Sequence, residues 1–200
     1  MFEDTYKTIE KPAEGFYSEK RSKFIAYAFP VSTEAEVKQR LAEIQKKHWD
    51  ARHHCYAYIL GPRKDAYRVN DNGEPSGTAG RPIHGQMLSK DVTDTLIVVV
   101  RYFGGIKLGV SGLQNAYKAA AKDALDNANI IERFIELKYR VTFEYANMND
   151  VMQILKNPDI QILDRQSDLN CTYIVSVRLC SADKVAESLR KISGTTVENI

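Results

Sequence analysis

Hydrophobic and polar positions change period along the chain, and each change marks an element. Tyr6 to Glu10 reads as a short strand, and Gly15 to Phe29 as a second, aromatic strand ending at Pro30. On that second strand Arg21 and Lys23 share one face. Ser32-Thr33-Glu34-Ala35-Glu36 then supplies a cap followed by an acidic first turn, and Val37, Leu41, Ile44 and His48 recur at helical spacing. This predicts an amphipathic helix over about Ser32 to Lys47 that covers a sheet. Ala51 to Leu60 is a buried strand stopped by Gly61-Pro62, and Ala66 to Asn70 follows it after a hairpin-like connection. Pro82 to Leu88 is a short helix interrupted by Gly85. Thr95 to Phe103, a continuous β-branched run, belongs in the middle of a sheet covered on both faces. Leu113 to Leu125 is an alanine-rich helix whose Ala116, Ala119, Ala120 and Ala124 permit close approach to that sheet.

The rhythm changes after Asn129. Glu136 to Ala146 alternates, with Leu137, Tyr139, Val141, Phe143 and Tyr145 on one face, and Asn147 caps a helix that Asn157-Pro158 stops. Ile160 to Asp164 and Cys171 to Leu179 form two strands around a turn at Ser167 to Asn170. Ser181 caps a last helix carrying Val185, Leu189 and Ile192, and Thr195 to Val197 makes an edge strand. The order β-α-β-β-α-β is the ferredoxin-like split motif, which hosts many unrelated functions.

Two glycine-rich corners interrupt the first part. Residues 71–81, Asp-Asn-Gly-Glu-Pro-Ser-Gly-Thr-Ala-Gly-Arg, lie between a strand and a helix, with Ser76 or Thr78 where an N-cap would stand. Residues 104–112 join the apolar strand to the alanine-rich helix. Main-chain donors at such corners favour phosphate or carboxylate, and the plain alternative is a capped turn. The second corner is not a Walker A loop, because Lys107 is followed by Leu108 rather than Ser or Thr. It is not a nucleophile elbow either, because Gly112 falls one place early after Ser111.

Along the strand at Ala51 to Leu60, His53 and Cys55 point one way while His54 and Tyr56 point the other. Adjacent strand histidines cannot converge on one ion, so no metal site is expected. A Cys55–His53 nucleophile pair is weighed against a buried structural cysteine, and the structural reading is preferred.

The 200 residues are 44% hydrophobic and 27% charged with a formal net charge of +2, which indicates a globular chain without a dominating field. Up to Ile135 there are 20 basic and 17 acidic residues, and beyond it 8 and 9, so any anion preference lies in the first part. Three cysteines, Cys55, Cys171 and Cys180, form no CxxC pair and suit free thiols in a reducing compartment. No signal peptide and no membrane span is expected, which predicts a cytoplasmic protein.

The phrases Arg21-Ser22-Lys23-Phe24-Ile25-Ala26, His53-His54-Cys55-Tyr56-Ala57-Tyr58, Asp71 to Gly80, and Val99 to Gly109 together resemble the IMPACT/YigZ family. The resemblance implies residues 1–134 as an α/β domain similar to the second domain of ribosomal protein S5. It implies residues 135–200 as a ferredoxin-like domain similar to one in elongation factor G. Both likenesses point to the translation apparatus. Eukaryotic relatives regulate translation by competing for a protein that activates an initiation-factor kinase. Their partner-binding region includes a further domain, so the theme is carried over and the partner is not. Asn72, Ser111 and Asn115 depart from the family pattern, the last weakening a phosphate grip at the helix start.

Three functions follow. The first is a binding protein of translation or RNA metabolism, contacting RNA or the ribosome through phosphates. Its cations are Arg21, Lys23, His53, Arg81, Arg101 and Lys107, and the two corners add Glu74, Ser76, Gly77, Thr78, Gly104, Gly105 and Ser111. The second is an enzyme on a small anionic substrate with Glu74 as general acid or base. The third is a regulator that binds a translation-related protein. Recognition without cofactor or metal is the preferred expectation.

Overall fold

A run such as Leu96 to Val100 is stable only where both faces are dry, and the fold is arranged to keep them so. A computed structural model of the chain describes residues 4–167 and 170–200. In chain order its first elements are β1 (Thr5–Ile9), β2 (Ala13–Glu19), β3 (Ser22–Pro30), α1 (Glu34–Lys47), β4 (His53–Leu60) and β5 (Ala66–Asn70). Then come α2 (Gly80–Ser89), β6 (Thr95–Tyr102), α3 (Gly109–Asp126) and β7 (Ile130–Phe134). The remainder holds β8 (Glu136–Phe143), α4 (Met148–Leu155), β9 (Ile160–Ser167), β10 (Cys171–Arg178), α5 (Leu179–Arg190) and β11 (Thr196–Asn199). The fold is mixed α+β.

Contacts divide the chain into two units, Tyr6–Arg133 and Phe134–Ile200, with Asp4 and Thr5 joining the latter. In the first unit β6 is the middle of a five-stranded antiparallel sheet, order β2-β3-β6-β4-β5. Strand alternation sends Phe24, Ala26, Cys55, Ala57 and Val99 into one core with α2 and α3. Tyr27, Tyr58, Leu96, Val98 and Val100 enter the other core, beneath α1. The alanines of α3 allow its close approach: Ala116, Ala120 and Ala124 are fully buried. Of the capping stretch Ser32 to Glu36 it is Thr33 that caps α1, its hydroxyl accepting from the Glu36 N–H at 3.2 Å.

In the second unit the strands run β11-β8-β10-β9, all antiparallel, and α4 and α5 share a core with one sheet face. Leu137, Tyr139, Val141 and Phe143 of β8 point into that core.

Several expected boundaries move, each for a physical reason. Gly15 to Phe29 is a hairpin rather than one strand, because Lys20 and Arg21 take left-handed backbones at φ 47° and 66° and turn the chain. Arg21 therefore sits in a turn and shares no strand face with Lys23. α2 begins at Gly80 and runs through Gly85, and no side chain from Ser76 or Thr78 caps it. α3 begins at Gly109, four residues before Leu113, so the second corner is shorter than the glycine pattern suggests. Ser181 lies inside α5 and donates to Asp159 at 2.6 Å instead of capping. Asn147 leaves α4 uncapped and donates to the Ser193 carbonyl at 2.7 Å, and Tyr145 is 76% exposed in a short 3-10 turn. β7, which pairs with β1, has no counterpart among the expected strands. Residues 168 and 169 of the expected turn lie outside the described residues.

Candidate functional site

The first corner is wrapped around an anion of its own. The Asp71 carboxylate accepts from the N–H of Gly77 at 2.8 Å, of Ala79 at 3.0 Å and of Gly80 at 2.8 Å. Asp71 thus does from nine residues upstream what an N-cap does locally for α2. Burial pushes its pKa up, but the three amides outweigh burial and hold the carboxyl below its ordinary value. Thr78 is fully buried and its hydroxyl donates to the Pro75 carbonyl at 2.6 Å. The amides of Glu74, Gly77, Thr78, Ala79 and Gly80 and the Thr78 hydroxyl are spent on holding the shape of this corner.

That shape carries Glu74 inward. Its side chain is 3% exposed, and Oε1 accepts from the Arg101 guanidinium at 2.7 Å and from the Tyr117 hydroxyl at 2.8 Å. Behind Tyr117 the Cys55 thiol donates to the phenol oxygen at 3.3 Å. Burial, the larger cause, pushes the Cys55 thiol up to about 12 and the Tyr117 phenol upward too, so both stay protonated. Cys55 makes no pair with His53, and such a thiol is inert. Arg101 lies over the rings of Phe24 at 5.6 Å and Phe103 at 5.5 Å, and its Nε is buried without a hydrogen-bond partner among the described residues.

The second corner starts against the β2–β3 hairpin. A Cβ on Gly104 would fall 2.1 Å from the Arg21 carbonyl carbon, so only glycine lets the two backbones meet there. The Gly104 N–H donates to the Ser22 hydroxyl at 3.1 Å. Beyond it Lys107 is exposed, and Val110 stands 58% exposed in the first turn of α3.

Between the corners lies a cavity of about 740 Å³. Arg52, His53, Glu74, Arg101 and Lys107 supply its charged and polar lining, with Asp50 at one side. Tyr102, Phe103, Leu108, Val110 and Leu113 supply an apolar wall. His53 Nδ1 is 2.9 Å from the Asn72 carbonyl, and since a carbonyl only accepts, Nδ1 carries the proton and Nε2 is the acceptor of the neutral ring. Tyr27, His48, Tyr102 and Asp50 are linked in series, with contacts of 2.8, 2.8 and 3.0 Å, so the cavity-lining Tyr102 and Asp50 connect it to His48. Desolvation, then the neighbouring Lys47 and His54, lowers the His48 pKa and keeps the ring neutral. Trp49, 82% exposed, stands between His48 and Asp50.

Of the residues singled out from sequence, the cavity brings together His53, Glu74, Arg101 and Lys107. Arg21, Lys23, Ser76, Arg81, Gly105 and Ser111 are exposed and do not line it, nor do Gly77, Thr78 and Gly104. Sequence reasoning passed over Asp71 as a cap, Tyr117 as a partner of Glu74, and Arg52 and Phe103 as cavity lining. Arg52 could have been found, because it precedes His53 at the start of β4, where the register sets His53 beside Arg101.

A two-unit α+β protein with a partly basic cavity at the end of a five-stranded sheet is the class these features define. The family model described as "Impact N-terminal domain" matches residues 20–125. IMPACT family member YvyE of Bacillus subtilis (strain 168) is 40% identical over 152 residues, 76% of this chain and 70% of that protein. IMPACT family member YigZ of Escherichia coli (strain K12) is 33% identical over 176 residues, 87% and 85% of the two chains. A crystal structure titled as a hypothetical protein superposes with a TM-score of 0.76 at 26% identity, covering 98% of each chain. The chain belongs to the IMPACT family, as the four sequence phrases imply. Among the described residues no helix is long and apolar enough to cross a membrane, and no group of three His, Cys, Asp or Glu side chains could hold a metal ion.

Proposed function

We propose that this protein is a regulatory binding protein of translation or RNA metabolism whose cavity receives phosphate groups of RNA or the ribosome. The carrying observation is the cavity itself. It gathers Arg52, His53, Arg101 and Lys107, and Arg101 holds a buried Nε donor without a partner. Among the described residues Arg101 is neutralised by a carboxylate at hydrogen-bond distance, while Arg52 and Lys107 make no ion pair and are left to an external anion. Glu74 acts here as a positioning residue: it fixes Arg101 through one oxygen while Tyr117 fixes the same oxygen from behind. That engagement supports recognition over acid–base catalysis at Glu74.

The β11-β8-β10-β9 order with two helices on one face supports a ferredoxin-like domain over residues 135–200. The helix-flanked sheet supports an S5-like domain over residues 1–134. Both likenesses support the translation theme, and the unpaired thiols of Cys55, Cys171 and Cys180 suit a cytoplasmic setting. A salt titration of binding to ribosomes and to structured RNAs tests the proposal. Affinity is expected to fall steeply with salt, with a shallower slope for Lys107→Ala. No binding even at low ionic strength would refute it.

A further inference from the structure

We propose that the cavity takes one unpaired nucleotide of an RNA strand, its base stacked on the Phe103 ring and its phosphate held by Arg52 and Lys107. The inference rests on the polyanion reading above and narrows it to a class of ligand. A phosphate alone has no use for an apolar wall, and a cavity of about 740 Å³ walled by Tyr102, Phe103, Leu108, Val110 and Leu113 is much larger than a phosphate. A ligand that satisfies both linings carries a charged group and a flat apolar one together, as a nucleotide does.

Phe103 is prepared for stacking. The residue is 57% exposed, and the Arg101 guanidinium lies 5.5 Å from the centroid of its ring. Arg101 is itself set 5.6 Å from the Phe24 ring and tied to Glu74, so a buried stack props Phe103 from behind. A base laid on the open face of Phe103 lengthens that stack by one layer. Val110, 58% exposed, flanks the same cavity and Ile106, 49% exposed, lies between Phe103 and Val110 in sequence. Among the described residues neither Arg52 nor Lys107 makes an ion pair, so their charges are available to a phosphate. A duplex cannot serve, because its bases are stacked inward and the A-form major groove is deep and narrow; a loop, bulge or strand end offers a splayed base.

Filter binding by the full chain at one fixed low salt tests this with four ligands. They are a short single-stranded RNA, the same strand annealed to its complement, an abasic strand of equal length, and a free nucleoside monophosphate as competitor. The single strand is expected to bind roughly tenfold more tightly than the duplex or the abasic strand. Phe103→Ala should remove that preference, Phe103→Tyr should restore it, and Lys107→Ala should weaken all three polyanions alike. Equal affinity for single, duplex and abasic strands, or an unchanged preference in a Phe103→Ala protein of native circular dichroism, overturns the inference while leaving polyanion binding intact. A free nucleoside monophosphate that binds more tightly than the strand overturns the strand as source. Failure of every polyanion to bind overturns the underlying reading and this inference with it.

Discussion

The two glycine-rich corners resemble each other in composition and differ in what fills them. The first closes on Asp71, whose carboxylate takes the N–H groups of Gly77, Ala79 and Gly80. Among the described residues the second makes its one side-chain hydrogen bond through Gly104, and it leaves Lys107 and Val110 toward the cavity. Glycine-rich loops with the same chemical vocabulary thus serve two ends. One stores an internal anion to fix a helix and aim Glu74, and the other is left open to solvent. Substitutions in the first corner should therefore cost stability, and those in the second should cost binding.

The largest test is Glu74→Ala. It leaves the Arg101 cation buried without its carboxylate, and denaturant titration should show a loss of about 4 kcal/mol. Asp71→Ala orphans three amides and should cost about 3 kcal/mol in the same measurement. A small loss in either variant would break the contrast at its stronger end. Gly104→Ala tests the exception within the second corner: its Cβ would meet backbone rather than a movable side chain, and a loss of about 2 kcal/mol is expected.

Acid sharpens the same contrast. Asp71 and His48 both have depressed values in the folded protein, so each contributes stability that is present above its ordinary pKa and is lost as pH falls. Stability measured against pH should begin to fall below 6.5, where the unfolded chain protonates His48 and the folded one resists. A second decline should appear below 3.8 and be flattened in Asp71→Asn. At the smallest end, Lys107→Ala should change stability by less than about 0.5 kcal/mol, since its side chain is exposed and unpaired, while still lowering RNA affinity. A large stability loss there would show that the second corner, too, is built on its own contacts.

Elements with strong period were legible in the sequence. β6 is buried as its β-branched run requires, α1 carries the cap and stripe read from Ser32 to Lys47, and the alternation of β8 places Leu137 to Phe143 in one core. What was not legible depended on partners distant in sequence. Nothing local marks Lys20 and Arg21 as left-handed, because neither is glycine or asparagine, and the hairpin is fixed by its pairing and by the approach of Gly104. Asp71 hides as a cap because its amides lie six to nine residues onward, beyond any N-cap spacing. Of the cavity, the polar residues His53, Glu74, Arg101 and Lys107 were visible, and its apolar wall was not. Tyr117 was read only as part of an alanine-rich helix, since its partnership with Glu74 spans 43 residues.

Trp49 has a practical consequence. It is the sole tryptophan of the chain and is 82% exposed in the folded protein. Its indole already meets water before any unfolding, so its emission should be red-shifted in the native state and nearly blind to loss of the cores. The same placement, one residue from the cavity-lining Asp50, makes that emission a sensor of events at the cavity mouth. Intrinsic fluorescence of this protein would then report occupancy of the site, while the melting of its sheets would pass almost unseen.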